Sequence, residues 1–266
     1  MNRHQLREKL MICIYQSQLL KKPLYETVED NYKITKDITF YPYYSYQSEA
    51  GSIVLLGHDD DGDGRYDRYT VEAAEGLNGK VTIPGEINGV PVSAITDLSG
   101  DFVNGLFGGG ISSVIIQEGV TSIGVGAFRG CSSLTDITIP ASVTSIGDQA
   151  FLFCSSLTAV TIPNSVTSIG GSAFFGCKSL TSITILAGVT SIGEGAFSGC
   201  LSLTDITIPE SVTSIGGSAF SGCKSLTSVT IPASVTSIAA QAFYDCLELQ
   251  TINYTGTKKQ WKSILN

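Results

Sequence analysis

Ile137-Thr138-Ile139-Pro140-Ala141-Ser142-Val143-Thr144-Ser145-Ile146-Gly147-Asp148-Gln149-Ala150-Phe151-Leu152-Phe153-Cys154-Ser155-Ser156-Leu157-Thr158 returns along the chain, with few changes, every 23 residues. Phe128, Phe151, Phe174, Phe197, Phe220 and Phe243 mark the period, and Cys131, Cys154, Cys177, Cys200, Cys223 and Cys246 mark it again three residues later. A fixed period of this length is the signature of a solenoid, in which each unit contacts only its neighbours.

Within the unit, Leu134, Ile137 and Ile139 point inward, and the period-2 spacing flanked by threonine describes a short strand. Pro140 cannot donate to a ladder and ends that strand. Val143 and Ile146 return to the core from the opposite wall as a second extended segment. Gly147 is read as a turn position with positive φ. Ala150-Phe151 opens a helical or 3-10 turn that drives the ring inward, and Cys154 closes the coil. One unit cannot bury its own apolar side chains, whereas stacking at about 4.8 Å per coil lines them up in continuous ladders. The expected fold is therefore a β-rich repeat solenoid. The six cysteines lie on the apolar ladder, with side chains held parallel at a spacing wider than a disulfide prefers. They are read as small buried thiols.

The regular register begins at Ile111. Before it, a unit over Val81-Thr82-Ile83-Pro84 carries two five-residue insertions, one in Gly85–Val92 and one after Ile95. Atypical end units are expected, because they cap the core. Residues 37–80 read as a β-hairpin cap, with strands near Ser52–Leu56 and Arg68–Ala73 on either side of an acidic loop. After Thr251–Tyr254, Thr257 can cap a short helix over 255–266 with Trp261 and Ile264 on one face. Residues 1–36 hold seven of the sixteen basic residues and no glycine, and follow helical spacing through Leu6, Leu10 and Ile14 up to Pro23. They are read as a helical extension.

Leu134-Thr135-Asp136-Ile137-Thr138-Ile139-Pro140-Ala141-Ser142-Val143-Thr144-Ser145-Ile146-Gly147-Asp148-Gln149-Ala150-Phe151, followed by Cys154, is similar to the BspA-like leucine-rich repeat, a 23-residue class found on many bacterial cell-surface proteins. The opening Val81–Val92 and the closing Tyr254–Ile264 resemble that family's end units, so the resemblance covers about residues 81–264. It implies a binding or adhesion role at a bacterial surface. Residues 1–30, with Asn2–Gln16 and Glu26–Tyr32, resemble the opening helices of the transcription antitermination factor NusB. The rest of that helical fold has no counterpart, so no antitermination role is carried over.

The charge balance narrows the partners. A net charge of −8 disfavours nucleic acid and anionic membrane, which need clustered Lys and Arg. No apolar run approaches the length of a bilayer span, so no membrane insertion is expected. Arg3, Arg7 and Lys9 before Leu10–Tyr15 resemble the start of a signal peptide, but the apolar run is short and no cleavage site follows. Localisation stays open between the surface or secreted setting the resemblance implies and the weak leader.

Two places carry candidate chemistry. Asp59, Asp61, Asp63 and Asp67 sit at alternating positions around a glycine turn, with the carbonyl of Arg65 as a further oxygen. Hard oxygen ligands at that spacing suit Ca²⁺, although Thr70 stands where a complete EF-hand loop has its bidentate Glu. The competing reading is a solvated acidic hairpin tip. The second place is the outward strand face, where Thr138, Thr161, Thr184, Thr207 and Thr230 form a row beside a column containing Asp136 and Asp205. Rigid, low-entropy side chains of this kind suit recognition of a protein or glycan partner, while threonine is also simply the strand-favouring residue for a solvated face. The only histidines, His4 and His58, have no evident nucleophile beside them, so no enzyme and no cofactor other than Ca²⁺ is expected. The reading is a non-enzymatic binding or adhesion protein. The alternative is a calcium-stabilised spacer for another module.

Overall fold

The computed structural model describes residues 43–48, 51–62, 65–75, 77–96 and 106–264. The chain divides into two units between Tyr44 and Ser45, and the repeats lie in the second. The helical reading of residues 1–36 and the NusB-like start lie outside the described residues.

β1 (Tyr43–Ser48) is followed by an antiparallel hairpin of β2 (Gly51–His58) and β3 (Arg68–Glu75), with His58 opposite Arg68 and a register shift at Val54/Leu55. β4 (Gly79–Ile83), β5 (Glu86–Ile87) and β6 (Val90–Ile95) build the first coil. The first insertion folds β5 back on β6 through Asn88-Gly89, both left-handed at φ 53° and 81°, the backbone an Asn-Gly hairpin turn requires. β3 then pairs in parallel with β6, opposing Tyr69 to Val92 and Val71 to Ile95. This stacks the hairpin on the first coil and leaves Ile53, Leu55 and Val71 with no exposed surface.

From there each coil contributes one strand to each of two walls. The longer strands are β7 (Ile111–Ile116), β9 (Asp136–Thr138), β11 (Ala159–Ile162), β13 (Ser182–Ile185), β15 (Asp205–Thr207), β17 (Ser228–Ile231) and β19 (Thr251–Tyr254). Opposite them lie two-residue strands, β8 (Ser122–Ile123), β10 (Ser145–Ile146), β12 (Ser168–Ile169), β14 (Ser191–Ile192), β16 (Ser214–Ile215) and β18 (Ser237–Ile238). The short strands pair in parallel from β6 through to β18, always 23 residues apart once the regular coils begin. Two residues per coil suffice because threonine hydroxyls extend the ladder: Thr144, Thr190 and Thr213 each donate to the carbonyl of the equivalent threonine one coil earlier, at 3.0–3.2 Å.

The core is a set of stacked rungs. Phe128, Phe151, Phe174, Phe197 and Phe220 are fully buried, with successive ring centroids 4.9–5.4 Å apart and planes within 4–11° of parallel. Parallel rings at that distance are offset rather than directly superposed, the arrangement the ring quadrupole favours. Phe107 adds a rung at the start, 4.8 Å from Phe128. The six repeat cysteines are free thiols, buried except for the half-buried Cys246. Cys154, Cys177, Cys200, Cys223 and Cys246 each donate their S–H to the carbonyl of the phenylalanine 26 residues earlier, at 3.1–3.3 Å. Each thiol thus satisfies a buried carbonyl while filling an apolar gap.

The third side of the coil, expected as a helical turn, is a pair of consecutive turns bonded sideways. Leu152 N–H donates to Gln149 O and Cys154 N–H to Phe151 O, while Gln149, Phe151 and Phe153 donate across to Gly171, Ala173 and Phe175 of the next coil at 2.7–2.8 Å. Two left-handed residues per coil make this path possible. The first falls at Gly126, Gln149, Ser172, Gly195, Ser218 and Gln241, and the second at Gly130, Phe153, Gly176, Gly199, Gly222 and Asp245. Gly147 is not among them, which corrects its sequence reading. A Cβ there would lie 2.8 Å from the backbone of Gly124 and Val125, so that glycine is required for close approach between coils.

At the far end, Thr257 and Gln260 form a reciprocal cap for α1 (Lys258–Ile264), with Gln260 N–H donating to Thr257 Oγ1 and Thr257 N–H to Gln260 Oε1. Trp261 packs on Tyr254 at 5.1 Å. The helix buries no residue fully, and Ile252, at a position where Val229 is 1% exposed, is 42% exposed.

Candidate functional site

The acidic loop is held by the hairpin beneath it. Asp67 N–H donates to His58 O at 2.8 Å and closes the loop at its base. Tyr66 covers Gly57, where a Cβ would lie 2.6 Å from the ring. Inside the loop, Asp59 Oδ1 accepts from Gly62 N–H and Asp67 Oδ2 from Asp60 N–H, both at 2.7 Å, with Gly62 left-handed at φ 78°. These bonds turn three carboxylates toward one point: Asp59, Asp61 and Asp67 each offer an oxygen within 4.8 Å of the others, all exposed. Asp60 faces elsewhere, in a two-point pair with Arg68 at 2.8 and 3.1 Å, and the Arg68 hydrogen bond holds its carboxyl below the usual range. His58 Nε2 lies 2.9 Å from Thr70 Oγ1, and burial lowers its pKa, with the Arg68 charge adding to the effect.

Of the five ligands expected from the sequence, Asp59, Asp61 and Asp67 are brought together, and Arg65 is exposed in the same loop. Asp63 lies outside the described residues. Carboxylate oxygens converging in this way are a donor set for a hard divalent cation. The same three are the only grouping of that kind among the described residues.

The strand wall places every residue expected on it at the surface. Asp136, Thr138, Thr161, Thr184, Asp205 and Thr207 are exposed and Thr230 is partly so. Thr161 is in register with Thr184, and Thr207 with Thr230, which gives two pairs. Asp205 accepts from Thr204 Oγ1 at 3.0 Å, and Asp136 from Ser113 Oγ at 3.5 Å. Three coil spacings separate the two acids, about 14 Å at 4.8 Å per strand. That is wider than the separation at which two carboxylates share a glycosidic bond.

The sequence reading passed over the turn wall. The basic residues between Phe107 and Gln250 are Arg129, Lys178 and Lys224, and all three lie there, within two residues of a rung cysteine. Lys178 and Lys224, each one residue after a rung cysteine, were the available signal. Among the described residues no helix is long and apolar enough to cross a membrane.

The family model for the BspA type leucine rich repeat region matches the chain in six copies, over residues 107–203 and 146–264. No curated protein matches it. Among solved structures, the chain is similar to the leucine-rich repeat protein TpLRR of T. pallidum, with 27% identity over 84% of this chain and 82% of that one and a TM-score of 0.56. The pneumococcal vaccine antigen PcpA shares the fold at 18% identity over 79% and 70%, TM-score 0.50. A leucine-rich cell surface protein of Faecalibacterium prausnitzii aligns at 22% identity over 86% and 98%, TM-score 0.39.

Proposed function

The chain belongs to the BspA-type leucine-rich repeat family, and from that membership we propose that it is a non-enzymatic binding protein, adhesive in role, whose solenoid presents a surface to a protein or glycan partner. The observation that carries this is the strand wall, where Thr161 with Thr184 and Thr207 with Thr230 form two in-register pairs on parallel strands, exposed except for the partly exposed Thr230. Side chains with little entropy left to lose make such a wall a recognition surface. The separation of Asp136 from Asp205 supports the absence of carboxylate-pair catalysis, and the net charge of −8 argues against nucleic acid as partner. The test is capture on protein and glycan arrays by the full chain, then by Thr184→Lys. Loss of capture supports recognition through this wall, and unchanged capture by the variant removes the wall from the reading.

A second reading rests on the convergence of Asp59, Asp61 and Asp67. In it, Ca²⁺ held by these carboxylates stiffens the hairpin, and the solenoid serves as a spacer for another module. Calorimetric titration with millimolar CaCl₂ tests it, with binding heat lost in Asp61→Asn as the supporting result. Absence of heat in the unaltered chain leaves the loop as a solvated hairpin tip.

A further inference from the structure

We propose that the turn wall is a second docking surface and that its occupant is an acidic polysaccharide. This rests on reading the chain as a binding scaffold but places the ligand on the wall opposite in character to the threonine row. The first observation is the placement of the cations. In a chain of net charge −8, Arg129, Lys178 and Lys224 are the only cations of the regular coils, and all belong to the turn segments. Arg129 is turned onto Gln149 Oε1 at 2.8 Å, and the exposed acids Asp148 and Glu194 open turn segments of the same wall, whereas Lys178 and Lys224 directly follow a rung cysteine. Lys178 and Lys224 are exposed at equivalent positions two coils apart, roughly 9–10 Å at strand spacing. Leu201 holds the position between them, so the wall offers one pair of cations at this separation, which complements negative charges spaced along a polymer.

The second observation is an aromatic residue where the backbone disfavours one. Position 153 is left-handed in every coil from Gly130 to Asp245, and glycine occupies it in four of them. Phe153 adopts φ 61° there and is 47% exposed. Its ring lies over Gly176 and meets Phe175 edge-on at 5.6 Å. Beyond it Gly176, Gly199 and Gly222 leave a strip without side chains, which ends at Tyr244, 63% exposed. Exposed rings beside a flat floor suit pyranose units, whose C–H faces stack on aromatic rings while their hydroxyls stay solvated. Asp245 and Glu248 in the last coil set the limit of the cationic strip.

The third observation selects against an extended peptide. Gly176, Gly199 and Gly222 donate their N–H groups to Ser198, Ser221 and Tyr244 of the next coil at 2.7–2.8 Å, so the strip's backbone is already bonded from coil to coil. A peptide cannot add itself as a strand there. The chain's own first 36 residues are also disfavoured, since they carry seven of its sixteen cations.

The test measures binding of the full chain to immobilised hyaluronate, with neutral dextran and poly-L-glutamate alongside, at low and raised NaCl. The expected result is salt-sensitive binding to hyaluronate and none to dextran. Lys178→Glu with Lys224→Glu should weaken it at least tenfold. Phe153→Gly should weaken it several-fold without lowering the melting temperature, because glycine relieves the left-handed backbone, and Thr184→Lys should leave it unchanged. No binding to hyaluronate overturns the proposal, as does binding that the double reversal leaves intact. Equal or tighter binding to poly-L-glutamate replaces the polysaccharide with an acidic peptide. Sedimentation showing self-association abolished by the double reversal replaces it with the acidic loop of a second copy. A ligand captured on arrays and lost only in Thr184→Lys would sink this inference and keep the strand-wall reading. Failure of every probe and array would remove both.

Discussion

Equivalent positions on the strand wall differ by little more than a hydroxyl or a carboxylate: Ser113, Asp136, Ala159, Ser182, Asp205 and Ser228 in one column, five threonines in the next. On the turn wall the same comparison runs from Gly130 to Phe153 to Asp245, and from Ser132 to Lys178 to Leu201. The strand wall holds its side chains at strand spacing, where each sits beside its counterpart from the next coil. The turn wall interleaves inward residues with left-handed ones, of which Phe153 and Asp245 are exposed. One wall sets the geometry of the stack, and the other has room for individual chemistry. Both hang on the same buried rungs, which is where the comparison can be tested first.

Phe174→Ala removes a fully buried ring stacked on both sides and should destabilise the chain by about 3–5 kcal/mol. Thr184→Ala on the strand wall should stay within about 0.5 kcal/mol. Urea denaturation reads both, and equal shifts would break the division between rung and wall. Gly170→Ala asks whether the coils can move apart at a point of close approach. Its Cβ would fall 2.5 Å from the backbone of Gly147 and Asp148, and the expected loss is about 1–3 kcal/mol. Gly171→Ala, whose nearest contact is 3.5 Å, should cost far less, and a similar loss in the pair would show that the approach is not what restrains position 170.

Alkaline pH loads the same rungs, by an amount that grows with each pH unit. Burial pushes the Cys177 and Cys223 thiols from an ordinary 9.0 up to about 12, and Cys154 and Cys200 are also raised by burial. The fold therefore holds these protons more tightly than the unfolded chain does. Their contribution is complete below pH 9 and is lost as the pH climbs toward 12, by about 1.4 kcal/mol per unit for each thiol. Melting temperatures flat from pH 7 to 9 and falling steeply above are expected. A curve flat to pH 11 would mean that the thiols are not sealed between the coils.

The period made the rungs legible, because a phenylalanine every 23 residues can only be a ladder. Phe107 escaped because it stands 21 residues before Phe128 and still fills the rung. The turn wall escaped for a different reason. Gln149, Ser172 and Phe153 do not announce left-handed backbone, whereas Gly147 invited that reading and is needed for space instead. Of the acidic loop, the spacing pointed to the three carboxylates that meet. It could not show that Asp60, in the midst of them, turns away to Arg68. At the far end, the capped helix with Trp261 on one face was legible and Trp261 meets Tyr254, yet Ile252 stays 42% exposed.

The parallel registers recur at one interval, Ser145 with Ser122, Ser191 with Ser168, Ser214 with Ser191. A whole unit can therefore be removed or duplicated between Pro140 and Pro232 and every surviving coil still meets a neighbour of the same kind. Nearly identical units are also the substrate on which unequal recombination acts. Gaining or losing a unit is thus a single genetic event that leaves the packing intact, and it is the one change that alters how far apart Lys178 and Lys224 stand. The length of this chain is a heritable setting, adjustable in steps of one coil.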